Sequence, residues 1–237
     1  MARPPRFVAI QQPHLLAQSA LDGMHLCQEN DDFVYFLELL KNSAKVSKVA
    51  IHGYALLPRS VMIIATPFAA NSLSELMQWI GRRYVPYFNR KYGRAGTLWG
   101  ARFRAAPVEA PEHFLPACQY VEESPVREGL AGTAGEYPWS SFRAHAGREQ
   151  NPLLTEHQGY WALGNTPFDR EAAYQRRLEH PLPASELQLI ENALRGGWVI
   201  GSAAFAESLQ KDAGRRLLPG KRGRPPSQGA SNAPKQN

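Results

Sequence analysis

Tyr54-Ala55-Leu56-Leu57-Pro58-Arg59-Ser60-Val61-Met62-Ile63-Ile64 reads as a strand, a tight turn at Pro58-Arg59 and a second strand. Side chains alternate faces along a strand, so Ser60 and Met62 project to the same side, two residues apart. Such a pair at the start of a central strand holds a metal when both members are ligands. Here they are a hydroxyl and a thioether. Whether the protein carries out chemistry therefore turns largely on this pair.

Outward from this hairpin, residues 48–57 and 60–66 form the second and third strands. Residues 14–20 read as the first. Between them, Asn30-Asp31-Asp32 offers helix-capping chemistry, and Phe33, Phe36, Leu37 and Leu40 follow at i, i+3, i+4 and i+7 on one apolar face. Downstream, Ser72-Leu73-Ser74-Glu75 has capping-box spacing. The long helix it opens places Leu73, Met77, Ile80, Tyr84 and Phe88 near one face. Pro86 is expected to kink or interrupt this helix near Val85.

Residues 101–108 read as a fourth strand, led in by Gly96-Thr97-Leu98-Trp99-Gly100. Pro111 opens a helix that runs through Tyr120 and stops near Pro125, with Pro116 expected to shorten or bend it. The order β-α-β-β-α-β-α predicts an α+β fold: a ferredoxin-like or RRM-like antiparallel sheet with packed helices. After Tyr137-Pro138-Trp139-Ser140-Ser141-Phe142 the pattern changes. Residues 151–168 are broken by Pro and Gly, and short helices are predicted over 169–179, 184–194 and 203–209. Residues 214–237 are rich in Gly, Pro, Ser and basic residues and read as a disordered basic tail. The expected organisation is a main domain over 1–146, a small helical appendage over 147–213 and the tail beyond it.

The composition suits a globular protein: of 237 residues, 43% are hydrophobic and 20% charged, which is ordinary for one domain with a smaller addition. A net charge of +6 favours an anionic partner without identifying it. Cys27 and Cys118 match no metal or redox spacing and fit a reducing compartment. No run approaches membrane-spanning length and no apolar leader follows the first residues, so a cytoplasmic, nucleoid-associated protein with no membrane partner is expected. The seven histidines form no close pair, and no Walker loop, nucleophile elbow or dinucleotide fingerprint is present.

Residues 76–108 contain Arg82, Arg83, Arg90, Lys91, Arg94, Arg102 and Arg104 and no acidic residue. Trp79, Tyr84, Tyr87, Phe88, Tyr92, Trp99 and Phe103 are interleaved with them. Cations meet phosphates and flat rings stack on unpaired bases, the mixture that single-stranded nucleic-acid grooves need. A solvated basic face over core aromatics is the plainer account, and most of these rings are assigned to the core. The unbroken sign of the charge favours binding for the arginines. The tail carries Lys221-Arg222-Gly223-Arg224-Pro225-Pro226, close to the form of an AT-hook core. Such a segment is thin enough for a narrow minor groove, where negative potential draws arginine. Tyr120 lies in Gln119-Tyr120-Val121-Glu122-Glu123-Ser124-Pro125, with Ser124 four residues on along the same predicted face. From this chain alone the ring reads as packing; a phenol also serves as a phosphoryl nucleophile where a cation stabilises the phosphate. Glu122 and Glu123 are read as surface charge, the alternative being metal ligands.

Together these pieces resemble the REP-associated tyrosine transposases, a branch of the single-tyrosine HUH transposase-like proteins of bacteria. The matching residues are His14-Leu15-Leu16, Tyr54-Ala55-Leu56-Leu57-Pro58, Tyr87-Phe88-Asn89-Arg90 and Leu98-Trp99-Gly100-Ala101-Arg102-Phe103. Tyr120 with Pro125-Val126-Arg127-Glu128-Gly129-Leu130, then Tyr137-Pro138-Trp139-Ser140-Ser141-Phe142 and the Gly-Arg-Pro tail, complete the set. The resemblance covers about residues 6–146 well and the remainder loosely.

The resemblance implies a protein that binds a DNA hairpin with adjoining single strand. It also implies a helix tyrosine that attacks a phosphodiester, forming a 5′-phosphotyrosine link and freeing a 3′-hydroxyl. In that family a divalent ion, held by a His-x-His pair and a third side chain one turn past the tyrosine, polarises the phosphate. Position by position, Tyr120 takes the nucleophile's place, Ser60 and Met62 those of the two histidines, Arg59 that of the preceding asparagine, and Ser124 that of the third ligand. Neutral serine is a poor ligand, and a thioether is soft where Mg²⁺ requires hard oxygen. Loss of metal activation removes several kcal/mol of transition-state stabilisation, roughly a thousandfold or more in rate.

The resulting expectation is a transposase-family DNA-binding protein with strand cleavage lost or weakened and no cofactor. Arg82, Arg83, Arg90, Arg94, Arg102, Arg104 and Arg127, with Lys221, Arg222 and Arg224 of the tail, would grip hairpin or single-stranded DNA. One rival is an active nickase using Mg²⁺ or Mn²⁺ held in another way, for instance by Glu122 or Glu123. The other is a non-catalytic module that binds RNA or protein. Either a monomer or a homodimer is compatible with the sequence.

Overall fold

A computed structural model describes residues 7–219. Its α+β core follows the order β1 (His14–Ser19), α1 (Asn30–Val46), β2 (Val49–Leu56), β3 (Ser60–Pro67), α2 (Ser72–Lys91), β4 (Arg104–Pro107) and α3 (Ala110–Glu122). Among the described residues the strands form a four-stranded antiparallel sheet in the order β2-β3-β1-β4. This is the split-βαβ arrangement of a ferredoxin-like layer. Alternation along the strands divides the core. Leu16, Leu56, Val61 and Ile63 pack with Phe36, Leu40, Ile80 and Tyr84 of α1 and α2. Leu15, Ala55, Ile64 and Ala106 face the opposite way, onto Phe114, Ala117 and Tyr120 of α3.

The helices after α3 are α4 (Ser124–Arg127), α5 (Phe142–His145), α6 (Gln158–Trp161), α7 (Pro167–Leu178), α8 (Ala184–Gly196) and α9 (Ala203–Ala213). Tyr160, Tyr174, Ile190 and Leu194 join the α3-side core. Residues around them also cover the sheet's edges, which would otherwise present unpaired backbone groups. At the β2 edge, the Leu56 N–H donates to the Trp139 carbonyl at 2.9 Å and the Ser141 N–H to the Tyr54 carbonyl at 2.9 Å. Further along, the Thr155 N–H donates to the Ile51 carbonyl at 2.7 Å. Gly53 makes the approach possible, since a Cβ there would stand 3.3 Å from Ser141 Oγ. At the β4 edge, the Ile200 N–H donates to the Pro107 carbonyl at 2.8 Å.

Three expectations are adjusted. Pro86 does not interrupt α2, which continues to Lys91. The backbone bond it lacks would run to the carbonyl of Arg82, and both residues are exposed, so water can meet that carbonyl. Pro116 likewise leaves α3 unbroken through Glu122, since the orphaned carbonyl belongs to exposed Glu112 in the first turn. The fourth strand is shorter than expected, because Trp99 already bridges Ala20 and the chain from Gly100 to Phe103 leaves the ladder before β4 begins.

Asp32 fastens the N-terminus of α1 to the end of α2. Its buried carboxylate accepts from the Gln28 and Glu29 N–H groups, from Tyr87 and Tyr92 hydroxyls and from Lys91 Nζ at 3.0 Å. Burial opposes its ionisation, but these donors outweigh it and hold the carboxyl at about 2.

Two histidines are locked in the neutral form. The ring of His14 accepts from the Ala9 N–H on Nε2 and lies 2.8 Å from the Gln12 carbonyl on Nδ1. His52 Nδ1 lies 2.7 Å from the Thr155 carbonyl, and Nε2 2.8 Å from Thr66 Oγ1. Burial lowers each from 6.5 to about 4. The unfolded chain therefore binds protons between these values that the folded chain does not. Stability is full above pH 6.5 and falls as pH drops towards 4, by about 2 kcal/mol per histidine at pH 5. Urea midpoints should be clearly lower at pH 5 than at pH 7.5, and His52→Gln should flatten that dependence. A profile unchanged by the substitution would contradict the assignment.

Candidate nucleic-acid interface

Tyr120 lies near the end of α3, where its ring closes the α3-side core and is 7% exposed. The Arg127 guanidinium sits 4.1 Å from the ring centroid and donates to the Tyr120 carbonyl. Burial raises the phenol above its ordinary pKa, and the Arg127 charge opposes that rise.

Tyr120 opens onto a cleft of about 850 Å³. Arg102 and Arg104 reach it from the approach to β4 and its first residue, and Arg195 from α8. Asp22 and Glu191 also line it, so its charge is mixed, with arginines outnumbering carboxylates by one. Ala17 and Ser19 of β1 form part of the wall. These two pair directly with Met62 and Ser60 of β3, which places the Ser60–Met62 pair beside the tyrosine cleft. Met62 is half-buried and packs into the same apolar cluster as Tyr120.

The donor set does not fit a hard divalent ion. Ser60 and Met62 offer a neutral hydroxyl and a thioether. Ser124 does not continue the helical face of Tyr120: α3 ends at Glu122, and Ser124 starts α4. Its buried hydroxyl donates to the Val121 carbonyl at 2.6 Å. Among the described residues no group of three His, Cys, Asp or Glu side chains is arranged to hold a metal ion.

Glu122 corrects the reading as surface charge, and its partners equally argue against a ligand role. It has no exposed surface. Oε1 accepts from Ser141 Oγ and lies 2.7 Å from His145 Nδ1; Oε2 accepts from the Tyr174 hydroxyl at 2.6 Å. Both oxygens are thus engaged beneath Gly53 of β2. Glu123 is half-buried and accepts from Gln119 Nε2 at 2.9 Å, and burial raises its carboxyl pKa.

The basic residues of 76–108 have separate fates. Arg82 and Arg102 line a second groove, between α2 and residues 97–103. Arg83 stacks on Trp79, 3.7 Å from the ring centroid. Arg90 is exposed on α2. Arg94 is a loop brace: it donates to Asn89 Oδ1 at 2.9 Å and to the Thr97 carbonyl at 3.3 Å. Lys91 is bound to Glu29 and Asp32, each at 3.0 Å. Lys221, Arg222 and Arg224 lie outside the described residues. Arg195 carried no signal in the sequence, since it is one cation in an ordinary amphipathic helix.

The arrangement is thus an α+β layer with a tyrosine-bearing helix beside an arginine-lined cleft. No protein-family model matches the sequence, and no curated protein does. The fold is similar to the structure of a REP-associated tyrosine transposase bound to a REP hairpin. That match has a TM-score of 0.51 and 13% identity, and covers 66% of this chain and 92% of that one. A protein from Deinococcus radiodurans R1, provisionally named a transposase, matches at TM-score 0.37 and 15% identity over 54% of this chain and 98% of that one. At 13% identity the first of these likenesses shows a transposase-like fold and nothing finer.

The Glu122 cluster yields a stability prediction. Glu122→Ala leaves three buried polar groups without their acceptor and should cost about 3–5 kcal/mol. Tyr174→Phe removes one donor and should cost about 1–2 kcal/mol. A double-mutant cycle by urea unfolding should show the two effects to be non-additive; additive losses would mean that the carboxylate does not hold Tyr174.

Proposed function

We propose that this protein binds DNA, as hairpin or adjoining single strand, through the cleft beside Tyr120, and that it no longer cleaves the strand efficiently. The observation that carries the reading is the convergence of Arg102, Arg104 and Arg195 on Tyr120 while Ser60 and Met62 occupy the strand beside them. The transposase-like fold, shared with a protein solved on a REP hairpin, supports DNA as the partner. In the proposed division of labour, residues 1–146 supply the tyrosine and most arginines. Residues 147–213 add Arg195, and 214–237 contribute a basic tail.

In mechanism, the arginines neutralise phosphate oxygens and position the backbone near the phenol. In-line attack by Tyr120 would displace the 3′ oxygen of the neighbouring nucleotide. Its phenolic proton must leave, and burial raises the cost of that loss. Arg127 offsets the cost in part. A Mg²⁺ or Mn²⁺ ion, where bound in an active relative of this site, would polarise the phosphate. The residues at the corresponding positions here do not supply hard ligands, so phosphate binding is retained without the electrophilic assistance that cleavage needs.

Two measurements test this reading. In gel shifts against hairpin DNA, single-stranded DNA and RNA, log affinity should fall linearly with log salt concentration and be strongest for DNA. Arg102→Ala and Arg104→Ala should each reduce the slope by about 0.7–1. Preference for RNA, or affinity independent of salt, would contradict it. Incubation of labelled hairpin DNA with Mg²⁺ or Mn²⁺ should yield no covalent adduct; an adduct abolished by Tyr120→Phe would establish active nicking instead.

A further inference from the structure

The second groove, of about 600 Å³, lies on the α2 side of the sheet edge. We propose that it is a pocket for one unpaired nucleobase of the bound DNA strand, whose flanking phosphates lie on Arg82 and Arg102. The proposal rests on the DNA-binding reading and adds to it a discrete base site away from Tyr120.

The walls are apolar: Met77 and Val85 from α2, Trp99 and Phe103 from the segment that leads into β4. Trp99 lies against the helix at Gly81, where a Cβ would stand 3.2 Å from its Nε1. A glycine at this point of α2 weakens the helix relative to alanine. What it gains is a flat, half-buried indole along the groove. Aromatic faces of this kind hold unpaired bases by stacking, whatever their sequence.

The few polar groups suit a base edge. Gln18 is 7% exposed and donates Nε2 to the Ala101 carbonyl at 2.5 Å. That bond fixes the amide, and Oε1 has no partner among the described residues. The Trp99 indole N–H has none there either. An acceptor and a donor beside an apolar slot are the pattern of small-ligand sites. Arg82 and Arg102 are exposed at its margin. With no acidic residue between 76 and 108, the surroundings suit a polyanion better than an apolar peptide. Ala101 and Arg102 line both this groove and the Tyr120 cleft, so a single strand can run from one to the other.

The test uses the full-length protein and a fluorescein-labelled oligodeoxynucleotide, in parallel with the same strand carrying single abasic sites at successive positions. Anisotropy titration should find one position, or two adjacent ones, where loss of the base weakens binding about tenfold, as the loss of one stacked base does. Trp99→Ala should weaken the intact strand by a similar factor and erase the difference. Trp99→Phe should preserve it. Val85→Phe, which fills the groove and leaves Trp99 in place, should erase it as well, so the conclusion does not depend on one variant folding. Binding that is equally insensitive to abasic substitution at every position overturns the pocket while leaving DNA binding intact. So does discrimination that survives both Trp99→Ala and Val85→Phe. Absence of binding to every strand overturns the DNA reading itself.

Discussion

One buried carboxylate sets the attitude of the helix that carries Tyr120. A carboxyl group without solvent contact is costly to bury unless its oxygens are hydrogen-bonded. Its partners are Ser141, His145 and Tyr174, and none belongs to the sheet or to α3 itself. Ser141 is in turn stitched to Tyr54 of β2, with the Tyr54 N–H donating to its Oγ at 2.8 Å. The carboxylate thus joins α3 to the β2 edge and to α7. Tyr120, two residues earlier, is fixed from the cleft side by Arg127. A helix held at both flanks places its phenol with little freedom, which is what a nucleophile position requires. That framework persists here whether or not the phenol reacts.

The same geometry explains how phosphate binding and strand cleavage can separate. On the proposed reading, binding depends on arginines that line the cleft from different elements: Arg102 and Arg104 at the start of β4, Arg195 at α8. Each contributes a term of its own, and loss of one leaves the others. Electrophilic assistance is different, because a hard cation needs several oxygen or nitrogen donors at one point. Serine at two positions and methionine at the third remove that convergence together. The fold loses nothing by it. Met62 adds to the apolar packing under Tyr120, and Ser124 satisfies the Val121 carbonyl where α3 ends. Both residues are thus accounted for by packing and hydrogen bonding alone, without reference to a metal.

The sheet was legible because its signals are local. Alternation through Leu15–Leu16 and Ile63–Ile64 assigns neighbouring residues to opposite cores, and the Pro58-Arg59 turn lies between β2 and β3. The prolines misled for an equally local reason. Pro86 and Pro116 each lack one backbone bond, and each orphaned carbonyl falls on an exposed residue, a placement that propensity alone does not reveal. Glu122 was illegible in kind. A Glu-Glu pair ending a helix looks like surface charge until residues 19 to 52 positions later fold over it. Arg94 and Lys91 carry the same lesson with opposite consequence. They share the sign of the cleft arginines, but Asn89 and Thr97 hold one, and Glu29 and Asp32 the other. Composition counts cations; only tertiary contacts say which remain available to a ligand.

The boundary of the site follows from how the edges of the sheet are covered. Four short strands leave two rows of backbone donors and acceptors, and chain after α3 is used on both. At β2 the cover runs through residues 139–141 and 154–155. At β4 it is partial: Ile200 pairs at Pro107 and Glu109, beyond which α8 approaches and the ladder stops. The chain leading into β4 carries Trp99, Ala101 and Arg102. The Tyr120 cleft and the groove beside α2 share Ala101 and Arg102 and so meet at this gap. A ligand with regularly spaced anions and flat apolar faces is the chemistry that can occupy both at once, and a single nucleic-acid strand has both features. On the proposed reading, the incomplete edge, rather than the tyrosine alone, is what gives a bound strand its path.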